Sequence, residues 1–261
     1  MMIDKDKSII RRTSLLFLKI PILLLVIFSV LVTISIPAWR AKQLPNNNFV
    51  NIILARSVFI PCEDTDCDYP GEVLNLDGAS ASGVAIKTIK GKTYILTAYH
   101  FCNSDSQYAQ YLDVDADVTI SAIDNQGDAW LSYVVYIDEV SDLCLLESTM
   151  PPIDTIVIAD QMPQRGERVY ALSAPYGISS KDVVLQFEGF FSGCKDSLTC
   201  FFTLPATSGS SGSLIFNKDN EVVGMVQMST VNFDNISIGP DSYTLRSFLE
   251  NASIALAIPL V

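Results

Sequence analysis

Three features of the sequence point to an all-β fold in two halves preceded by one N-terminal transmembrane helix. Residues 14–39 are almost unbroken apolar sequence. Beyond them the chain carries short alternating runs instead of helical periodicity. Near the midpoint of those runs, Met150-Pro151-Pro152 cannot continue a central strand and so separates two halves.

The apolar segment has Lys19 near its start and Pro21 just after. Residues 20–37 with their flanks suit a helix of about 20 residues crossing a hydrocarbon layer of roughly 30 Å. Lys5, Lys7, Arg11 and Arg12 precede it, and a basic flank favours keeping that end in the cytoplasm and exporting the chain beyond the helix. The expected organisation is a cytoplasmic tail over 1–13, a signal-anchor over 14–39 and a polar linker over 40–49. A first β-rich half over 50–149 and a second over 150–261 then lie in the periplasm or outside the cell. A cleaved signal peptide, giving a secreted product, is the competing reading, because Pro37-Ala38 and Ala41 supply small residues. Against it, the apolar run exceeds the roughly 7–15 residues of a signal core, and Ile36 or Trp39 would occupy a position that prefers a small side chain.

Strands are expected at residues 83–89, 93–98, 118–123, 130–137, 143–147, 168–173, 183–191, 200–204, 213–217, 222–228 and 254–258. Lys90-Gly91, Asn125-Gln126-Gly127, Arg165-Gly166 and Lys218-Asp219-Asn220 supply the turn chemistry between them. About a dozen short strands at this spacing favour a barrel or sandwich. A short helical turn is expected at 245–251.

Seven of the 17 basic and two of the 29 acidic residues fall within residues 1–42, so the remainder carries 10 basic against 27 acidic, a net charge of −17. Such a surface repels phosphate backbones and argues against a nucleic-acid partner. All six cysteines (Cys62, Cys67, Cys102, Cys144, Cys194 and Cys200) lie C-terminal to the apolar segment, an even number suited to disulfides in an exported domain. Of the 15 possible connectivities, Cys62 with Cys67 and Cys194 with Cys200 close short loops, which leaves Cys102 with Cys144. Zinc is the alternative, but no pair has C-x-x-C spacing.

A hydroxyl becomes a nucleophile near neutral pH when a neutral imidazole takes its proton, an acid orients that imidazole and amide donors face the developing oxyanion. The chain has one histidine, His100, at the end of the apolar run Tyr94-Ile95-Leu96-Thr97-Ala98-Tyr99. Asp142 heads a second run, Leu143-Cys144-Leu145-Leu146. Ser211 lies in Thr207-Ser208-Gly209-Ser210-Ser211-Gly212-Ser213, whose glycines permit a tight turn with inward-facing amides. Each alone has an ordinary structural reading: a strand-end histidine, a capping acid, a hairpin tip. The order His, Asp, Ser excludes the α/β-hydrolase arrangement, in which the nucleophile comes first.

Together these segments resemble the trypsin-like, or chymotrypsin-clan, serine peptidases, and most closely the DegP/HtrA-type protease domain. The resemblance runs from about Ser82 to the C-terminus. Ser82-Gly83-Val84-Ala85-Ile86 leads to Ile95-Leu96-Thr97-Ala98-Tyr99-His100, as a small-Gly-Val strand leads to the histidine in that family. Asp142-Leu143-Cys144-Leu145-Leu146 is similar to its Asp motif, and Gly209-Ser210-Ser211-Gly212-Ser213-Leu214 to its Ser motif. Ala255-Leu256-Ala257-Ile258-Pro259 looks like the strand that closes the second barrel, and no PDZ domain is expected after it. The resemblance implies a chymotrypsin-like double β-barrel. It makes His100 the general base, Asp142 the orienting acid and Ser211 the nucleophile, and gives the oxyanion hole to the amides of Gly209 and Ser211, with no cofactor and no metal. The chain departs from the pattern at Ser210, Ser213, Leu214 and Tyr99. The bulky Tyr99 implies a local adjustment or a turned-out ring.

The resemblance places the substrate pocket among Pro205, Val226, Met228 and Ser229. Pro205 stands where enzymes selective for basic residues carry an aspartate, so cleavage after a small or medium apolar residue of a protein or peptide is expected. The alternatives are a binding module on the same fold without turnover, and an esterase using the same triad. Asp113, Asp115 and Asp117 lack the glycine of a calcium loop. The sequons at Asn235 and Asn251 are compatible with export, and Arg56-Ser57-Val58 is the nearest, weak approach to a tryptic activation site.

Overall fold

Side-chain alternation builds the first half of the folded chain. In the computed structural model, which describes residues 43–60, 72–103, 117–230 and 233–260, β1 (Phe49–Ile60) buries Val50, Ile52 and Leu54, every second residue. Phe49 and Asn51, on the opposite face because alternate side chains of a strand point to opposite sides, are buried too. It is succeeded by β2 (Glu72–Ile89), β3 (Lys92–Ala98), β4 (Asp117–Ile123), β5 (Ala129–Asp138) and β6 (Leu143–Ser148). These six form a closed barrel in the order β1-β2-β3-β6-β5-β4, with β4 pairing back onto β1. Val50, Ile52, Leu54, Ala85, Ile95 and Leu146 belong to one of its buried clusters.

The second half holds β7 (Arg168–Ser173), β8 (Leu185–Asp196), β9 (Thr199–Phe202), β10 (Leu214–Phe216), β11 (Val222–Met225), β12 (Met228–Thr230) and β13 (Phe233–Gly239). The expected second barrel appears as one seven-stranded sheet, β11-β10-β7-β8-β9-β13-β12. Its two outermost strands, β11 and β12, are successive in the chain and joined only by Val226 and Gln227, so the sheet is curled back on itself. Leu44–Val261 forms one compact unit.

A second cluster lies between the halves. It combines Tyr94, Leu96, Leu143 and Leu145 with Leu172, Leu214, Phe216 and Met225. The strands β3 and β6 are therefore buried on both faces, which explains why they read as continuous apolar runs. Both chemistry-bearing segments identified from those runs, at His100 and Asp142, lie where a doubly buried strand reaches the surface.

One expected element is overturned. Residues 254–258, expected as the closing strand, lie instead on and just past α2 (Ser242–Leu256), a helix far longer than the turn anticipated at 245–251. The side chain of Asp241 accepts a hydrogen bond from the Thr244 amide at 2.8 Å and caps its start. Leu245, Phe248, Leu249 and Ala252 are buried at helical spacing, and the ring of Phe248 lies 5.3 Å from that of Tyr136. The chain leaves the helix only at Ala257, in the left-handed conformation. The expected strand 222–228 is broken after Met225, where Val226 N–H donates to Ser213 and Gln227 N–H to Ile238.

Among the described residues no helix is long and apolar enough to cross a membrane. The expected transmembrane segment 14–39, Cys62, Cys67, Asp113 and Asp115 lie outside the described residues.

Candidate active site

The register of β3 and β6 sets Ala98 opposite Leu143, so the residues just beyond, on α1 (Tyr99–Cys102) and in the turn before β6, meet at one end of the barrel. His100 Nδ1 lies 2.8 Å from Asp142 Oδ2, and the His100 backbone amide donates to Oδ1 at 2.7 Å. The Tyr99 amide donates to the Asp142 carbonyl. A carboxylate can only accept, so Nδ1 carries the proton in this pair, and in the neutral imidazole Nε2 is then the nitrogen with a lone pair. The imidazole is 49% exposed, open enough for a reacting group to approach. Asp142 holds this position with φ of 52°, a left-handed conformation that aspartate tolerates better than most residues.

The turn around Ser211 is built by its carbonyls. Ser208 O accepts from the Tyr176 amide at 2.7 Å, Ser210 O from Ser213 N–H at 3.1 Å and Ser211 O from Ser82 N–H at 2.9 Å. Gly209 O accepts from Ser82 Oγ at 2.8 Å. Two of the amides are also used, Ser210 N–H on Thr207 O and Gly212 N–H on Val226 O. The amides of Gly209 and Ser211 meet no acceptor among the described residues. In a planar trans peptide C=O and N–H point in opposite directions. Drawing the Ser208 carbonyl toward Tyr176 therefore turns the Gly209 amide the other way. Gly209 has φ of +89°, and a Cβ there would press on Ala174 O and Tyr176 N, so only glycine fits.

Ser211 Oγ donates to the Gln227 carbonyl at 3.3 Å; among the described residues it shares no hydrogen bond with His100. Gln227 joins the two parts of the site. Its side-chain Nε2 donates to the carbonyls of Ser141 at 2.7 Å and Asp142 at 2.9 Å, and the residue is 7% exposed. The disulfide Cys102–Cys144 ties α1 to β6, and Cys194–Cys200 links β8 to β9.

Pro205 is half-buried, Val226 packs into the core of the second sheet, and Met228 and Ser229 are exposed on β12. Tyr99 is half-buried against the barrel cluster. Sequence reasoning missed Gln227 and Tyr176, and saw Ser82 only as part of a strand motif. Gln227 acts through contacts 85 and 86 residues away in sequence, for which no local pattern exists. The Pro175-Tyr176-Gly177 turn was the available signal for Tyr176.

The family model for the trypsin-like peptidase domain matches residues 81–225, more than half of the chain. A solved structure, the crystal structure of the serine endoprotease from Yersinia pestis, is similar with a TM-score of 0.56 and 20% sequence identity. The similarity covers 80% of this chain and 63% of that one, and at this identity it speaks for the fold. No curated protein matches the chain.

Proposed function

The chain belongs to the trypsin-like peptidase domain family, and from that premise we propose that it is a serine endopeptidase with His100 as general base, Asp142 as orienting acid and Ser211 as nucleophile. The observation that carries this reading is the pair of amides, Gly209 and Ser211, that meet no acceptor among the described residues, in a turn whose carbonyls from Ser208 to Ser211 are each hydrogen-bonded. Such a pair has a use when an oxyanion forms next to Ser211.

Ser211 Oγ attacks the scissile carbonyl while His100 Nε2 takes its proton, and the carbonyl oxygen gains negative charge facing the two amides. Collapse of the tetrahedral intermediate breaks the C–N bond. The amine leaves with the proton from His100, and an ester to Ser211 remains. Water, deprotonated by His100, then attacks the ester and regenerates the hydroxyl. Asp142 holds the imidazole in the tautomer that this cycle needs.

The substrates are exported proteins or peptides, cleaved after a small or medium apolar residue. Pro205 in place of an acid and the small Ser229 support that preference. The two disulfides support an oxidising compartment, and the apolar residues 14–39 support a membrane tether.

One observation favours a second reading, a binding module without turnover: Ser211 Oγ is bonded to Gln227 and not to His100. Hydrogen bonds of this kind are often loose before substrate arrives. Labelling of the full chain with a fluorophosphonate probe separates the two. Labelling that disappears in both Ser211→Ala and His100→Ala supports the peptidase; absence of labelling in the folded, oxidised chain supports the binding module.

A further inference from the structure

Ser82 belongs to β2 in the first barrel, yet its polar atoms serve the nucleophile turn of the second half. It is fully buried. Its Oγ accepts from the Ala174 amide at 2.9 Å and donates to Gly209 O at 2.8 Å. Its amide donates to Ser211 O at 2.9 Å, and its carbonyl accepts from Thr97 Oγ1 at 2.8 Å. An amide nitrogen can only donate, so Ala174 occupies an acceptor lone pair of the hydroxyl. The single proton of that hydroxyl is thereby directed at Gly209 O.

We propose that Ser82 is a positioning residue that keeps the Gly209 and Ser211 amides turned outward; this rests on the peptidase reading above. Gly209 sits at positive φ, where glycine moves between conformations at little cost. A peptide flanked by such a residue stays in one orientation only when its polar groups are held; Thr207 O holds the N–H of the Gly209–Ser210 peptide, and its carbonyl needs a donor of its own. Tyr176 holds the Ser208–Gly209 peptide, which carries the Gly209 amide, and the Ser82 hydroxyl holds the Gly209–Ser210 peptide, which links it to the peptide that carries the Ser211 amide. Removing that hydroxyl strips two buried backbone groups, Ala174 N–H and Gly209 O, of their partner. The Gly209–Ser210 peptide then gains by rotating to find another donor, and its rotation turns the two adjoining peptides, which carry the Gly209 and Ser211 amides. The strand does not depend on the hydroxyl, because β2 pairs with β1 on both sides of Ser82.

The test compares the full chain with Ser82→Ala, Ser82→Gly and Ser82→Thr, using fluorophosphonate labelling, casein hydrolysis and thermal melting. Loss of a direct oxyanion donor costs about 10²–10³ in kcat, so the indirect loss in Ser82→Ala and Ser82→Gly is expected at about ten- to a hundredfold in kcat. KM stays within about twofold, the pH profile keeps its shape because the His100–Asp142 pair is untouched, and Ser82→Thr recovers most of the rate. Wild-type kcat in Ser82→Ala overturns the proposal, as does a folded Ser82→Thr no better than alanine. Melting of both Ala and Gly variants below the assay temperature also overturns it, by making the hydroxyl a requirement of the fold. A wild-type chain that takes no label sinks the peptidase reading itself, whereas a labelled wild type beside an unaffected Ser82→Ala sinks this proposal alone.

Discussion

Cys102 and Cys144 form a disulfide, and each stands two residues beyond one partner of the His100–Asp142 hydrogen bond. The covalent link therefore runs parallel to the hydrogen bond, between the same two segments. Its loop of 42 residues corresponds to a stabilisation of about 2–4 kcal/mol through restriction of the unfolded chain. Replacing both cysteines by alanine is expected to lower the melting temperature accordingly and to reduce labelling of Ser211 at temperatures where the chain remains folded. Differential scanning calorimetry beside fluorophosphonate labelling checks both; unchanged labelling would mean that the barrel alone aligns the two segments.

Ser211→Ala and His100→Ala are expected to lower casein hydrolysis by roughly 10⁴-fold or more, since neither partner acts without the other. Combining the two should cost little beyond either alone. An additive double mutant, measured under the same conditions, would contradict a shared catalytic step.

Gln227→Ala removes the donor that serves two carbonyls, those of Ser141 and Asp142. Leaving them without that partner is expected to cost about 1–3 kcal/mol, read as a loss in denaturant midpoint. A drop in kcat of about tenfold should accompany it, because the turn bearing Asp142 loosens. If stability falls with kcat unchanged, Gln227 supports the fold only.

Gly212 has φ of +87°, and a Cβ on it would fall well inside contact distance of Ser82 O and Thr97 Oγ1. Gly212→Ala is expected to abolish labelling by displacing the turn. By contrast Gly166→Ala, at φ of +88° but in open space, should leave labelling intact and cost only the strain of its backbone, about 1 kcal/mol. Equal loss of labelling in both would point to backbone strain instead of the close approach to Ser82.

Asp241→Ala removes the cap of α2, for an expected loss of about 1 kcal/mol. Chemical denaturation measures it directly; an unaffected midpoint would mean that burial of Leu245, Phe248 and Leu249 suffices to hold the first turn.

The strands buried on both faces are the most legible part of the chain, because Tyr94 to Ala98 and Leu143 to Leu146 leave little alternative to a buried strand. The same runs locate His100 and Asp142, each at the junction of such a run with a polar turn. Strand β13 carries no comparable signal: Asp234 and Asn235 have low strand propensity, and the element forms through pairing with β9 and β12. The end of α2 reads wrongly as a strand because Ile254-Ala255-Leu256-Ala257-Ile258 is too short an apolar run to distinguish strand from helix by period. The helical stripe that decides the matter lies upstream, from Leu245 to Ala252. The roles of Ser82 and Gln227 depend on hydrogen bonds between segments far apart in sequence, which periodicity cannot report.

The sole histidine of the chain is the one held against Asp142, and this makes the protein its own spectroscopic reporter. An imidazole NMR spectrum of the unmodified chain contains the signals of a single ring, so the Nδ1–H proton and its response to inhibitors can be tracked without isotope editing or assignment by mutation. A histidine-directed reagent such as diethylpyrocarbonate likewise has one imidazole to modify, and the stoichiometry of its inactivation can be assigned to one position without peptide mapping of competing histidines.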